Sequence, residues 1–196
     1  SEISVVRSLL TALNIGPSVV TAGIVFFTTN ARVIRNFYSS FSNRNTSLKT
    51  GQRGGSTCIG CGMTVGLALF SKPVPGRTLL NPAKIMIVLT DGYNNVGSPT
   101  PAKNLTAAAK NVHDAGIMTF AIGVGNSLST NELNTIATTL PTGPAVIKVS
   151  DFSKLSTVIN ELVSQTCTDL AAQPRGQTCY GFCSFNETCV CPVCEN

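Results

Sequence analysis

The chain has no tryptophan and a single histidine, and only 12% of its 196 residues are charged. An ordinary soluble domain carries roughly twice that share, about 25%. Ser, Thr, Asn and Gly must therefore cover much of its surface. The net charge of +5 is spread thinly, without a Lys/Arg cluster beyond pairs. Nucleic acid is not an expected partner, because phosphate-backbone binding needs a concentrated basic stripe. No apolar run in these residues approaches the roughly 18 of a membrane span, and the first residues do not read as a signal peptide. Ser1 reads as the start of a mature or trimmed chain. The sequence also lacks G-x-S-x-G, a P-loop and any His-based acid–base pair. Gly123-Val-Gly125 lacks the third glycine and first-strand context of a dinucleotide fingerprint. Hence an enzyme is not expected. His113 lies near a predicted helix end, where a dipole contact accounts for it.

Cysteine, by contrast, is plentiful. Of the eight cysteines, Cys167, Cys179, Cys183, Cys189, Cys191 and Cys194 crowd into the last thirty residues. This density indicates a disulfide framework and an oxidising compartment. Three sequons, at Asn45, Asn104 and Asn186, agree with a secreted, glycosylated protein. Cys58 and Cys61 form a C-x-x-C at a predicted helix start. A local disulfide, bonds to distant cysteines, a redox pair and zinc binding with tail cysteines all remain open. The tail's Cys189-x-Cys191 resembles the middle of an EGF-like module, although its last loop is short. A disulfide-held cap or an inter-subunit contact are the roles expected of it, and its pairing is not fixed by spacing.

The organising stretch is Lys84–Gly92, whose residues Ile85 to Leu89 are apolar without alternation. Such a run fits a strand buried on both faces of a parallel sheet. Ligands of these sheets bind just beyond the carboxyl ends of the strands, where Asp91 lies. Around it the chain reads as helix 2–13, strand 18–28, an antiparallel edge strand 32–38, and a polar loop 39–56. Then follow helix 57–69, strand 84–90, and a helix capped by Thr100 with Pro101 at its first position, running to about Asp114. Strand 117–125, a helix capped by Ser129-x-x-Glu132 and running to about Thr139, strand 145–149 and a helix after Asp151 complete it. Strands alternating with helices predict an α/β fold: a doubly wound, mostly parallel sheet with one antiparallel edge strand, plus a small disulfide-rich tail.

Four stretches resemble the von Willebrand factor type A (integrin I-like) family over about residues 1–166, leaving 167–196 as the Cys-rich tail. They are Leu13-Asn-Ile-Gly16 with Thr21-Ala-Gly-Ile-Val-Phe-Phe27, Gly54-Gly-Ser-Thr57-Cys-Ile-Gly60, Ile87-Val-Leu-Thr-Asp-Gly92, and Ala115-Gly-Ile117 with Phe120-Ala-Ile-Gly-Val-Gly125. The resemblance implies a divalent cation at the top of the sheet, the metal-ion-dependent adhesion site. Thr57 and Asp91 match the family's second and third loop positions as hard oxygen ligands for Mg²⁺, Mn²⁺ or Ca²⁺.

One departure stands out. The family's first strand and its Asp-x-Ser-x-Ser motif have no counterpart in residues 1–196. Without that strand, its neighbours, here 18–28 and 84–90, would each bare a row of backbone groups. Each such group costs about 1–3 kcal/mol, against a domain stability of about 5–15 kcal/mol. Some strand must fill the slot: a segment of the same chain beyond these residues, a cleaved but retained piece, or one donated by a neighbouring chain. A departure from the family fold at this point is the remaining alternative. Open-ended donation would build a homopolymeric filament. The expectation is therefore a secreted adhesive or structural matrix glycoprotein that contacts a protein ligand or copies of itself. The alternative is a monomeric, metal-dependent ligand-binding ectodomain.

Overall fold

A computed structural model describes residues 6–7, 10, 20–37, 55–72, 83–96, 104–126, 128–151 and 154. The cysteines of the tail, Asn45, Asn186, Thr100, Pro101 and most of the first and last expected helices lie outside the described residues. Val6, Arg7 and Leu10 are helical, as expected.

The central element is β4 (Met118–Val124), all seven of whose residues are buried. It is flanked by β3 (Ile85–Thr90) on one edge and β7 (Val146–Val149) on the other, both parallel to it. An uninterrupted run of β-branched, aromatic and small residues suits this position, since both faces and both edges are covered. β7 reaches only the second half of β4, from Ala121 onward. Beyond its reach Thr138 takes over. Its hydroxyl accepts from Thr119 N–H at 2.8 Å, and its N–H donates to Thr119 O at 2.9 Å. The backbone of the most buried strand is thus paired beyond the regular ladder.

Before this sheet comes an antiparallel hairpin, β1 (Ile24–Phe27) and β2 (Ala31–Arg35), with a bulge between Ile24 and Val25. The expected strands 18–28 and 32–38 are both shorter in the structure. Among the described residues no ladder joins β1 to β3.

Helix α1 (Ile59–Phe70) ties the two sheets together, packing on β1, β2 and β3. Its sequence carries no charge, so both of its flanks can be buried. Glycines bring it close. A Cβ on Gly62 would stand 2.6 Å from the Phe27 ring of β1, and one on Gly66 would stand 3.0 Å from Met86 Cε of β3. Helix α2 (Leu105–Asp114) packs on α1 through Leu105, Ala108, Ala109 and Val112, all buried. Its cap is Asn104, whose side-chain oxygen accepts from Ala107 N–H at 3.1 Å. The expected Thr100 cap lies outside the described residues, and the helix described starts later. Helix α3 (Thr130–Ile136) approaches β4 at Gly123, where an added Cβ would meet Leu133 at 2.9 Å. It ends before the expected Thr139. A small antiparallel pair, β5 (Thr139–Leu140) and β6 (Gly143–Pro144), follows in place of more helix.

The result is a parallel α/β sheet with an antiparallel hairpin, as the alternation of strands and helices predicts. Among the described residues, α1 meets the side of the sheet that carries Met86, and α3 meets the same side at Gly123. The opposite side gathers Ile122, Val124 and Val149 with Ile87, Leu89 and Ile147.

Candidate functional site

Two strands point at one end of one helix. β1 leads into Thr28, whose carbonyl accepts from Cys58 N–H at 2.7 Å. β3 leads into Asp91 and Gly92, and a Cβ on Gly92 would lie 3.9 Å from Thr57 Oγ1. Cys58 is the N-cap of α1. Both strands therefore run parallel and end at the N-terminus of α1, antiparallel to the helix itself. Along their length, Gly23 of the β1 segment lies against Leu69 and Phe27 against Gly62, which gives the same direction. The Thr57 segment and the Asp91–Gly92 corner, far apart in sequence, thus meet at this end of the helix, with Gly92 beside Thr57.

The turn between them is held by side chains that the sequence did not single out. Asn94 Oδ1 accepts from Ile59 N–H at 2.8 Å and from Gly60 N–H at 3.4 Å. These are two of the donors that the first turn of a helix leaves without partners. Cys61 N–H donates to Cys58 Sγ at 3.2 Å, and Gly62 N–H donates to Cys58 O at 3.2 Å. The first turn of α1 is thereby fully accounted for, with an Asn reaching in from the β3 loop as part of its cap. Asn95 clamps Thr57 from both sides: its Oδ1 accepts from Thr57 N–H, and its N–H donates to Thr57 O at 3.0 Å. Glu132 of α3 adds a third anchor, accepting from Asn94 N–H at 3.0 Å. Half of the expected capping box is present, since Ser129 Oγ accepts from Glu132 N–H at 3.2 Å. The Glu132 carboxylate bonds to the Asn94 loop. Finally, Thr90 Oγ1 donates to Gly92 O at 3.0 Å, which tightens the corner that carries Asp91.

No sequence motif announces Asn94 and Asn95 as partners of Thr57. The available signal is an Asn pair directly behind the strand-end Thr-Asp-Gly, since Asn is among the best helix-capping residues. Which helix it caps is a tertiary fact.

Cys58 and Cys61 are joined in a disulfide, with Cα atoms 5.2 Å apart. Of the alternatives open for this pair, the local bond is the one observed. Asn104 is exposed and uses only its side-chain oxygen as a cap, so its amide nitrogen, the atom a glycan would occupy, is not required by the helix.

The donor set can be weighed against the cation that the resemblance implies. Thr57 supplies a hydroxyl and Asp91 an exposed carboxylate. Hard cations of this kind take about six oxygen ligands, some of them water. The oxygens of Asn94 and Asn95 already serve backbone N–H groups. One Glu132 oxygen does the same. Thr57 and Asp91 would offer such a cation a hydroxyl and a carboxylate, and the described side chains offer no group of three or more His, Cys, Asp or Glu to join them.

Comparison with known proteins agrees with the geometry. The family model for the von Willebrand factor type A domain matches residues 2–161. Integrin alpha-M of Mus musculus is 40% identical over 98 residues, covering 48% of this chain and 8% of that protein. Vitrin of Bos taurus is 32% identical over 142 residues, covering 70% of this chain and 19% of that protein. The chain thus spans a fifth or less of these curated relatives. Among solved structures, proximal thread matrix protein 1 from the mussel byssus, in a form with a zinc-occupied MIDAS motif, superposes with a TM-score of 0.64. It is 26% identical, with 84% of this chain and 41% of that chain covered. With the parallel sheet, the antiparallel hairpin and the matched loops in place, the chain belongs to the von Willebrand factor type A domain family.

Proposed function

We propose that this chain is a non-enzymatic, secreted matrix module that docks a protein partner on the face where β1 and β3 end. The observation carrying this reading is the meeting of the Thr57 segment with the Asp91–Gly92 corner at the N-terminus of α1, where Asn94, Asn95 and Glu132 hold the two segments together. Rigid presentation limits the ordering entropy paid on binding. The likeness to a matrix protein of the byssus supports the setting. In this reading Asn45, Asn104 and Asn186 carry glycans, and residues 167–196 form a disulfide-held cap. A divalent cation, where bound, is held by Thr57 and Asp91 and supplies a Lewis-acidic contact for a partner oxygen.

The test is cell adhesion to surfaces coated with the full chain. Retention is expected on wild type, falling to the bare-surface level on Asp91→Ala. Equal retention on both coats overturns the reading. Addition of a chelator separates the cation-dependent form of the reading from a cation-free one.

A second reading, assembly into filaments, is favoured by one specific observation. β1 and β3 run parallel beneath one helix without pairing to each other. A strand supplied by a neighbouring chain would pair with both. Sedimentation velocity of the full chain should then show species that grow with concentration. A monomer at every concentration ends this second reading.

A further inference from the structure

The side-chain amide of Asn104 has one atom in use and one that is not. Its Oδ1 accepts from Ala107 N–H at 3.1 Å and caps α2. Its Nδ2 makes no hydrogen bond among the described residues, and Asn104 is exposed. Thr106, which completes the Asn104-Leu-Thr106 sequon, is exposed as well, while Leu105 between them is buried. A sugar on Nδ2 leaves the oxygen in place, so a helix cap and a glycan coexist on one residue.

Hydrogen bonds at both ends of α3 fix where that residue stands. At its start, Glu132 accepts from Asn94 N–H at 3.0 Å, beside the ends of the strands. Just past its other end, Thr138 pairs with Thr119, near the start of β4. His113, in the last turn of α2, has its Nε2 3.1 Å from the carbonyl oxygen of Ile136, the last residue of α3. In addition, Ile117 N–H donates to Val112 O at 3.3 Å, and Met118 N–H donates to Lys84 O at 2.9 Å. The end of α2 therefore lies where β3 and β4 begin. The ten residues of α2 rise about 15 Å in all. They pack along α1 from Leu105 to Val112. Asn104, at the opposite end of α2, thus stands toward the end of the domain that carries Thr57 and Asp91.

We propose that an N-glycan on Asn104 guards the docking end of the domain, closing the approach over α2 and leaving the approach over the β1–β2 hairpin. The donor is a lipid-linked oligosaccharide diphosphate. Its sugar C1–O bond breaks, C1 bonds to Nδ2, and one Nδ2 proton leaves with the lipid diphosphate. The sugar is bulky and hydrated, so a partner pressing over it would have to strip water from polar groups. α2 packs against α1 and α3, whereas the hairpin packs against α1, so the glycan burdens one flank of the docking end. The guarding role rests on the strand-end face being the docking face, and it adds the direction from which the partner arrives.

The experiment compares the full chain, secreted from a eukaryotic host, with its Thr106→Ala and Asn104→Ala variants. Mass spectrometry of the peptide holding residues 104–106 should find the sugar on wild type and on neither variant. Thr106→Ala keeps the cap oxygen, and Asn104→Ala loses it. Of these two sugar-free chains, Asn104→Ala should therefore melt lower, by about 2–4 °C. The exposed Thr106 site makes Thr106→Ala the variant that isolates the sugar in a folded chain. In the cell-adhesion assay at matched coating density, Thr106→Ala should retain roughly twofold more cells than wild type, because reopening one flank about doubles the approaches that succeed. Asp91→Ala combined with Thr106→Ala should return retention to the bare-surface level. An unmodified Asn104 in the secreted chain overturns the proposal. So does a sugar whose loss leaves Asp91-dependent retention unchanged or lowered, and the docking face then stands without a guard. Retention that ignores Asp91→Ala in both backgrounds removes the docking face itself, and the guarding role falls with it.

Discussion

Strands β4 and β1 are similar in sequence and differ in circumstance. Both are apolar, with Met118–Val124 reading MTFAIGV and Ile24–Phe27 reading IVFF. Yet every residue of β4 is buried, and every residue of β1 is only half-buried. β4 has a parallel strand on each edge and α3 against Gly123. β1 has β2 on one edge and α1 on one face. Apolar character makes a strand ready for burial, but neighbours deliver it. The difference locates where a partner strand would be stabilising: beside β1, not beside β4.

This contrast can be broken most forcefully at the phenylalanines. Phe120 of β4 is fully buried. Truncation to Ala should cost about 3–5 kcal/mol, the range for large core aromatics. Phe26 of β1 is half-buried, with the Arg32 guanidinium 5.8 Å from its ring centroid. Its truncation should cost about half as much, in proportion to the area withdrawn from water. Urea unfolding of both variants measures the ratio. Equal costs would mean that β1 is as enclosed as β4, and the case for an added strand beside it would lapse.

The same contrast governs how legible the molecule is in its sequence. β3 and β4 stand out because their short runs are rich in apolar and β-branched residues with neither alternation nor a helical period, as a covered strand of a parallel sheet requires. Thr57 and Asp91 stand out because Gly-Gly-x-Thr and Thr-Asp-Gly match a family's loops. Asn94, Asn95 and Glu132 do not stand out, because their hydrogen bonds span 34 to 38 residues. Local capping rules cannot report a cap that arrives from another loop. Glu132 shows the limit well: Ser129-x-x-Glu132 is a sound local signal, and half of it forms, but the carboxylate finds the Asn94 N–H. The β5–β6 pair escaped for a different reason. Leu140-Pro-Thr-Gly-Pro144 is dense in turn residues, which mark a loop and hide the two-residue strands beside it.

The next contrast lies within α1. Gly62 faces the Phe27 ring of the hairpin, with the Cδ1 atom 2.6 Å from an added Cβ and Cγ at 2.9 Å. An aromatic ring cannot bend away, so Gly62→Ala should force the helix off β1. Overpacking of this kind costs about 1–3 kcal/mol, against a gain of about 0.8–1.0 kcal/mol for replacing Gly in a helix. A net loss is expected, and Phe27→Leu in the same chain should recover part of it. If the double variant is no more stable than Gly62→Ala alone, the contact is not what the glycine serves.

Gly66 offers the smallest effect and the sharpest control. It stands one turn further along the same helix, over the β3 side. An added Cβ there would meet Met86 Cε at 3.0 Å and its sulfur at 3.8 Å. Methionine is unbranched and flexible, and its terminal methyl can swing aside at small cost. The helix gain of about 0.8–1.0 kcal/mol should therefore survive in part, leaving Gly66→Ala neutral or stabilised by about 0.5 kcal/mol. The two substitutions have the same helix propensity and the same added volume, so their difference isolates what lies beneath each glycine. A Gly66→Ala variant as damaged as Gly62→Ala would show that α1 is clamped equally over both sheets. In that case α1 could not yield on either side, and the space between β1 and β3 would be too rigidly roofed to admit another strand.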